Sequence, residues 1–263
     1  TSALFPCIVS SASAYALALV MGVAPEHFFV ENVPAFDIST MWRVLVIAIL
    51  CAVASMLFCW AMHSGAKLFK KLFKNEFLRA AVGGIVVILL TLLVGTRAYN
   101  GGGMDVIERI FEEGVVRPEA FLLKMIFTSI TIGAGFKGGE IVPTLFIGAT
   151  LGGTLAMRAG FRGGEIVPSF AIGATFGCLA GQIMGFSPSL SAAAGMTAVF
   201  CGVTNCPIAT ILLSVELFGG ESALFCMIAA LVSFLFSGYF SLYSGQQLIY
   251  SKLSEKEINV HGH

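Results

Sequence analysis

Charge is the first thing this sequence lacks. Its 263 residues include 15 Lys and Arg and 15 Asp and Glu, 11% charged against 57% hydrophobic, for a net charge of zero. A soluble domain carries roughly 25% charged residues, so the composition predicts an integral membrane protein. No basic stripe interleaved with aromatics is present, which argues against nucleic acid as a partner. Metal and redox chemistry are poorly served too. The seven cysteines (Cys7, Cys51, Cys59, Cys178, Cys201, Cys206, Cys226) are scattered, without a CxxC pair, and read as small packing residues. The four histidines (His27, His63, His261, His263) share no ligand spacing. No Ser/His pair or HExxH sequence falls in the apolar runs, so no enzyme is expected, and nothing calls for a cofactor. The opening Thr1-Ser-Ala-Leu-Phe-Pro6 has neither an initiator Met nor a basic region, and residues 7–23 offer no clean cleavage site. That argues against a signal peptide, and the sequence reads as though it begins inside a longer protein.

What is present is a repeat. Gly135-Phe-Lys-Gly-Gly-Glu-Ile-Val-Pro143 returns as Gly160-Phe-Arg-Gly-Gly-Glu-Ile-Val-Pro168, and the tails agree from Phe146-Ile-Gly-Ala-Thr to Ala171-Ile-Gly-Ala-Thr. The offset, Gly135 to Gly160, makes a block of 25 residues, at about 135–159 and 160–184. Each copy is a glycine-rich turn opening an apolar helix with a proline near its first turn. Unpaired N–H groups at a helix start, at the positive end of its dipole, can hold an anion. An anion cradle on an apolar helix points to anion transport.

The apolar runs place the rest. Residues 3–24 predict a first helix and 41–73 a long one, whose apolar part, 44–62, matches the ~20 residues a bilayer needs. It ends at Lys67, Lys70, Lys71 and Lys74, so the 67–74 loop is expected on the cytoplasmic side. Further helices are expected at 80–94, 105–113 (short, amphipathic), 121–132, 192–201 and 208–218, with a break at Asn205-Cys-Pro207 and a last full span over 222–240. Several are too short to cross about 30 Å, the mark of broken helices meeting at mid-membrane. The assignment is an all-α polytopic membrane protein with broken and re-entrant helices: a transport domain over 1–253 and a polar cytoplasmic tail over 254–263.

Individual residues leave alternatives open. Gly133-Ala-Gly135-Phe-Lys-Gly138 fits GxGxxG, but an apolar helix precedes it, so no dinucleotide site is expected. Glu140 and Glu165 are carboxylates at membrane depth. Each is a proton-carrier candidate through a raised pKa, or a cap complementing the helix dipole. Glu216, near Gly219-Gly220, reads as structural, pairing across the bundle or lying at the interface. Tyr250 alone reads as an interfacial anchor.

Together these residues resemble the second half of the CLC family of chloride channels and anion/proton antiporters. The match runs in order through the Lys-rich hairpin and Gly101-Gly-Gly-Met. It continues with Gly138-Gly-Glu-Ile-Val-Pro143, which resembles the family's GGxFxP motif. Asn205-Cys-Pro207 with Ile211-Leu-Leu-Ser-Val-Glu216 resembles its (N/R)xP…E segment, and Gln247-Leu-Ile-Tyr250-Ser the stretch with the pore tyrosine. The resemblance implies one of two inverted-topology halves around an anion path, in a homodimer within the lipid bilayer. It implies halide (fluoride or chloride) and protons as the transported partners. The site would be Gly138, Gly139, Glu140 and Ile141, or their copies Gly163, Gly164, Glu165 and Ile166, with the Tyr250 hydroxyl from the cytoplasmic side. Ile141 stands where that motif usually has Phe, with Glu one place earlier. This is similar to the bacterial fluoride-exporting branch, although Val142 follows where that branch has Thr.

The family's first-half motifs, the GSGIP-type turn and the gating glutamate turn, are missing. The alternative reading is therefore a non-transporting membrane fragment or dimerisation scaffold. The family also carries one copy of the 25-residue block, not two. Two crossing copies would invert everything after them, so one is expected to be re-entrant or displaced, and only one can occupy the anion site.

Overall fold

A computed structural model describes residues 4–22, 27–31, 33–136, 166–243, 245–253 and 257–261. Nine helices and two short strands lie among them. In chain order they are α1 (Leu4–Val20), α2 (Ile38–Leu72), α3 (Glu76–Val94), α4 (Met104–Glu113), α5 (Ala120–Gly133), α6 (Ile166–Ile183), α7 (Pro188–Thr204), α8 (Pro207–Phe218), α9 (Ala223–Phe236), β1 (Gln247–Tyr250) and β2 (Glu257–His261).

α2 begins where Asp37 accepts the Thr40 N–H at 2.7 Å, a bond that also holds its carboxyl below the usual carboxylate range. Its 35 residues make about 52 Å at 1.5 Å per residue, so it crosses a ~30 Å hydrocarbon core and runs on to the lysines at its end. The Asn75 side chain starts α3 by accepting the Phe77 N–H at 3.0 Å, and the left-handed Gly95 stops it. Both α2 and α3 are long and apolar enough to span a membrane, as is α6. In α3 only Gly83 is buried, so its Ile and Leu rows stand exposed on the outside of the bundle.

The core lies elsewhere. Every residue of α7 except Pro188 and Phe200 is buried, among α2, α6 and α9. A helix apolar on all sides belongs inside, and the small residues of α7 let its neighbours close in. Gly173, Gly177 and Gly181 form a stripe at four-residue spacing on α6 that meets Ser191 and Gly195 of α7. A Cβ on Gly173 would stand 2.6 Å from Gly195 O, and one on Gly177 2.8 Å from Gly195 Cα. Such stripes let membrane helix backbones touch.

Several boundaries differ from the sequence reading. α7 runs three residues past 201. α9 is not a full span: it ends at Phe236, because Gly238 turns left-handed (φ 60°) and Lys252 takes the Phe234 carbonyl. At 14 residues it covers about 21 Å. The 254–263 tail is not simply trailing chain, since Glu257–His261 pairs antiparallel with β1, Gln247 opposite His261 and Tyr250 opposite Glu257.

Candidate functional site

α6 opens on the second copy of the repeat. Its first three residues are Ile166, Val167 and Pro168. A helix start leaves N–H groups without intrahelical partners, and Pro168 has none to leave. Buried Ser169 donates back to Ile166 O at 2.5 Å, and the Phe170 ring lies 4.9 Å from Phe200 of α7. Of the residues read from sequence as the anion site, Ile166 is thus the first of α6, while Gly138, Gly139, Glu140, Ile141, Gly163, Gly164 and Glu165 lie outside the described residues. Tyr250 closes β1; its side chain lies outside the description.

The Gly101-Gly-Gly-Met turn comes up beside α6. Lys124, 2% exposed in the middle of apolar α5, donates to Gly101 O at 2.7 Å and Tyr99 O at 3.3 Å. A Cβ on Gly103 would lie 2.9 Å from the Lys124 ammonium and 3.3 Å from Ala171 Cβ. A buried charge must be hydrogen-bonded to be tolerated, and the turn's carbonyls do this. The sequence reading missed Lys124, although a lone lysine inside an apolar helix was the available signal.

At the far end of α7 the chain breaks as its sequence predicts. Asn205 takes the left-handed conformation (φ 56°) and its N–H closes the last turn on Cys201 O; Pro207 then starts α8. The orphan carbonyls of α7 are taken up by the C-terminal segment. Leu242 N–H and Ser241 Oγ donate to Val203 O, and Gln246 Nε2 donates to Thr204 O at 3.0 Å. Asn205 Nδ2 donates to Phe240 O at 2.8 Å, and Lys252 Nζ donates to Asn205 Oδ1, to Phe234 O and to Ser237 Oγ. Burial presses the Lys252 ammonium down to about 8.

Glu216 is exposed near the end of α8, and its backbone carbonyl lies 2.9 Å from His27 Nδ1. Among the described residues no basic side chain pairs with its carboxylate across the bundle. Among them too, no group of three or more His, Cys, Asp or Glu could hold a metal. Cys51, Cys59, Cys178, Cys201 and Cys226 are buried free thiols, as packing residues should be, and Cys206 is exposed at the break.

The arrangement has a helix that starts at Ile166 of the second repeat copy, a buried lysine against the Gly103 turn that meets Ala171 of that helix, and a Pro-initiated break sewn to a tyrosine-bearing strand. The family model described as voltage gated chloride channel matches residues 1–158 and again 154–238. The chain belongs to this family. Its two matches overlap inside the first copy of the repeat. A "Chloride/fluoride channel protein" of Pseudomonas syringae pv. tomato (strain ATCC BAA-871 / DC3000) is 32% identical over 256 residues, covering 95% of this chain and 51% of that protein. The crystal structure of a CLC-type fluoride/proton antiporter superposes with a TM-score of 0.78 at 24% identity, over 92% of this chain and 55% of that one. The chain therefore has the CLC fold and spans about half the length of these relatives.

Proposed function

We propose that this chain supplies the second half of a transmembrane anion path that exchanges fluoride, in preference to chloride, for protons. The observation that carries the reading is the α6 start, where the sequence Gly-Gly-Glu leads into Ile166, the first residue of a buried helix of a CLC fold. Backbone N–H groups and the helix dipole there replace an anion's hydration shell, and Glu165 is the proton carrier. Membership of the family and the likeness to a chloride/fluoride channel protein and a fluoride/proton antiporter support the same direction. The Tyr250 hydroxyl completes the path from the side of the lysine-rich loop, which faces the cytoplasm.

The site belongs to the second copy. Ala171 is 1% exposed beside Gly103 and Lys124, and the matching residue of the first copy is Phe146. Gly181 closes on the Ser191 side chain, and its counterpart is Ala156; buried Ala180 corresponds to Leu155. A close-packed interior has no room for those additions. Gly163, Gly164, Glu165 and Ile166 are accordingly the binding set, and Glu140 is not.

Reconstitution of the purified chain in liposomes loaded with fluoride or chloride, read with ion-selective electrodes, tests this. The expected result is fluoride efflux faster than chloride efflux, coupled to proton uptake, abolished by Glu165→Gln and retained by Glu140→Gln. No efflux from folded, inserted protein would leave the scaffold reading.

A further inference from the structure

The segment 241–252 carries Tyr250 and is fastened on both sides of it to the α7–α8 break. Upstream, Gln246 accepts from Ser241 Oγ at 2.6 Å while donating to Thr204 O. Downstream, Lys252 reaches Asn205. Asn205 joins the two sides: its amide nitrogen faces a carbonyl and its oxygen faces an ammonium, so both ends of one side chain are used. Its left-handed backbone aims that side chain away from α7, a conformation few residues other than Gly, Asn and Asp adopt.

We propose that Asn205 and Lys252 form a clasp that fixes the Tyr250-bearing strand to the α7–α8 break, making both of them positioning residues for the anion path. The proposal rests on the anion-path reading above. Three observations carry it. Among the described residues β1 has β2 as its only strand partner, and an isolated two-stranded hairpin is marginal in water, so the strand needs an external anchor. Lys252 sits at the carbonyl ends of α7 and α9, where a cation is favoured by the dipoles, with its ammonium 4.3 Å from the Phe234 ring centroid. Its partners are neutral oxygens, and among the described residues no carboxylate lies within ion-pair distance of it. The clasp is thus a set of half-buried, charge-assisted hydrogen bonds that salt screens little.

The test compares the full chain with Lys252→Met, Lys252→Arg, Asn205→Gly and the Asn205→Gly/Lys252→Met double variant in liposomes. Amide exchange and fluoride efflux are both recorded. Asn205→Gly keeps the left-handed turn while removing the side chain. Lys252→Met and Asn205→Gly should each speed exchange across 246–253 about three- to tenfold and raise half-saturating fluoride by a similar factor, the size of one or two lost hydrogen bonds. Exchange in α2 and α3 should stay unchanged, the double variant should fall short of the sum of the two singles, and Lys252→Arg should restore much of both readouts. Unchanged exchange at 246–253 in Lys252→Met, or additive effects in the double variant, would overturn the clasp. Loosening at 246–253 in a chain whose unsubstituted form moves no anion would uphold the clasp and sink the anion reading instead.

Discussion

Lys252 gives the chain a measurable pH signature. Burial lowers its pKa in the folded protein to about 8 from the ordinary 10.5, so between those values the unfolded chain holds a proton that the folded chain has released. Stability rises with pH wherever the unfolded state binds more protons. Heating curves should therefore show the unsubstituted protein gaining thermal stability relative to Lys252→Met as pH climbs from about 8 towards 10.5, with a flat difference below 8. The ionisable groups around the ammonium are the Cys201 thiol of α7 and the phenol of Tyr239, whose ring lies 6.0 Å away; Glu257, across the hairpin, is exposed. A difference that shrinks over that window would show that hydrogen bonds to the charged form outweigh desolvation. Lys124 makes a different case, because its loss takes the hydrogen bond from the carbonyl of buried Tyr99 and from that of Gly101 at the more exposed side of the turn. Lys124→Met should cost about 1–3 kcal/mol for each one left unpaired, read as a fall in unfolding midpoint. Neither lysine's role was legible from sequence. Asn205 lies 47 residues before Lys252 and Gly101 lies 23 before Lys124, and no local pattern encodes a pairing at such range.

At the level of elements, lipid solvent made much of the fold readable. Apolar runs and the prolines and glycines between them located α2, α3, α5, α8 and the Asn205-Cys-Pro207 break, because nothing else in a membrane satisfies a backbone. Legibility stopped where tertiary partners set the boundary, as at the end of α9. The hairpin was missed for a related reason: four and five residues are too few for a periodic signal, although Ile258 and Val260 do alternate. Of the candidate site, the start of α6 was legible from its glycines and proline, while Lys124 and the clasp were not. The α6–α7 seam offers a test whose sign depends on magnitude. Gly195→Ala would gain about 0.5–1 kcal/mol of helix propensity. The added methyl, however, meets the backbone of Gly173 and Gly177, and overpacking costs about 1–3 kcal/mol or more. A net loss in thermal stability is expected, whereas Gly220→Ala, which meets nothing within 4 Å, should change little.

For the whole molecule, the repeat turns packing into an asymmetric deletion experiment. Removing residues 135–159 joins Ala134 to Gly160 and restores a single block in front of the α6 that the core already accommodates. Removing 160–184 instead offers that slot Phe146, Leu155 and Ala156. The first deletion should unfold at or above the midpoint of the intact chain and keep its efflux; the second should lose both. Equal behaviour of the two would mean that the copies are interchangeable and that the tight positions around α6 do not choose between them.

The contrast between α3 and α7 has a consequence for how the protein is made. The apolar window of α3 is 6% buried, so this helix leans on few neighbours and is apolar enough to leave the translocon for lipid unaided. α7, built of Ala, Ser, Gly and Thr and enclosed on every side, has little to gain from hydrocarbon and much from its neighbours. Biogenesis is then expected to be sequential: α2 and α3 partition first as an autonomous hairpin, and α7 stays beside the translocon with α6 until α9 arrives to enclose it. Glycosylation mapping of single segments in microsomes should find α3 inserting by itself and α7 inserting efficiently only when the flanking helices are translated with it.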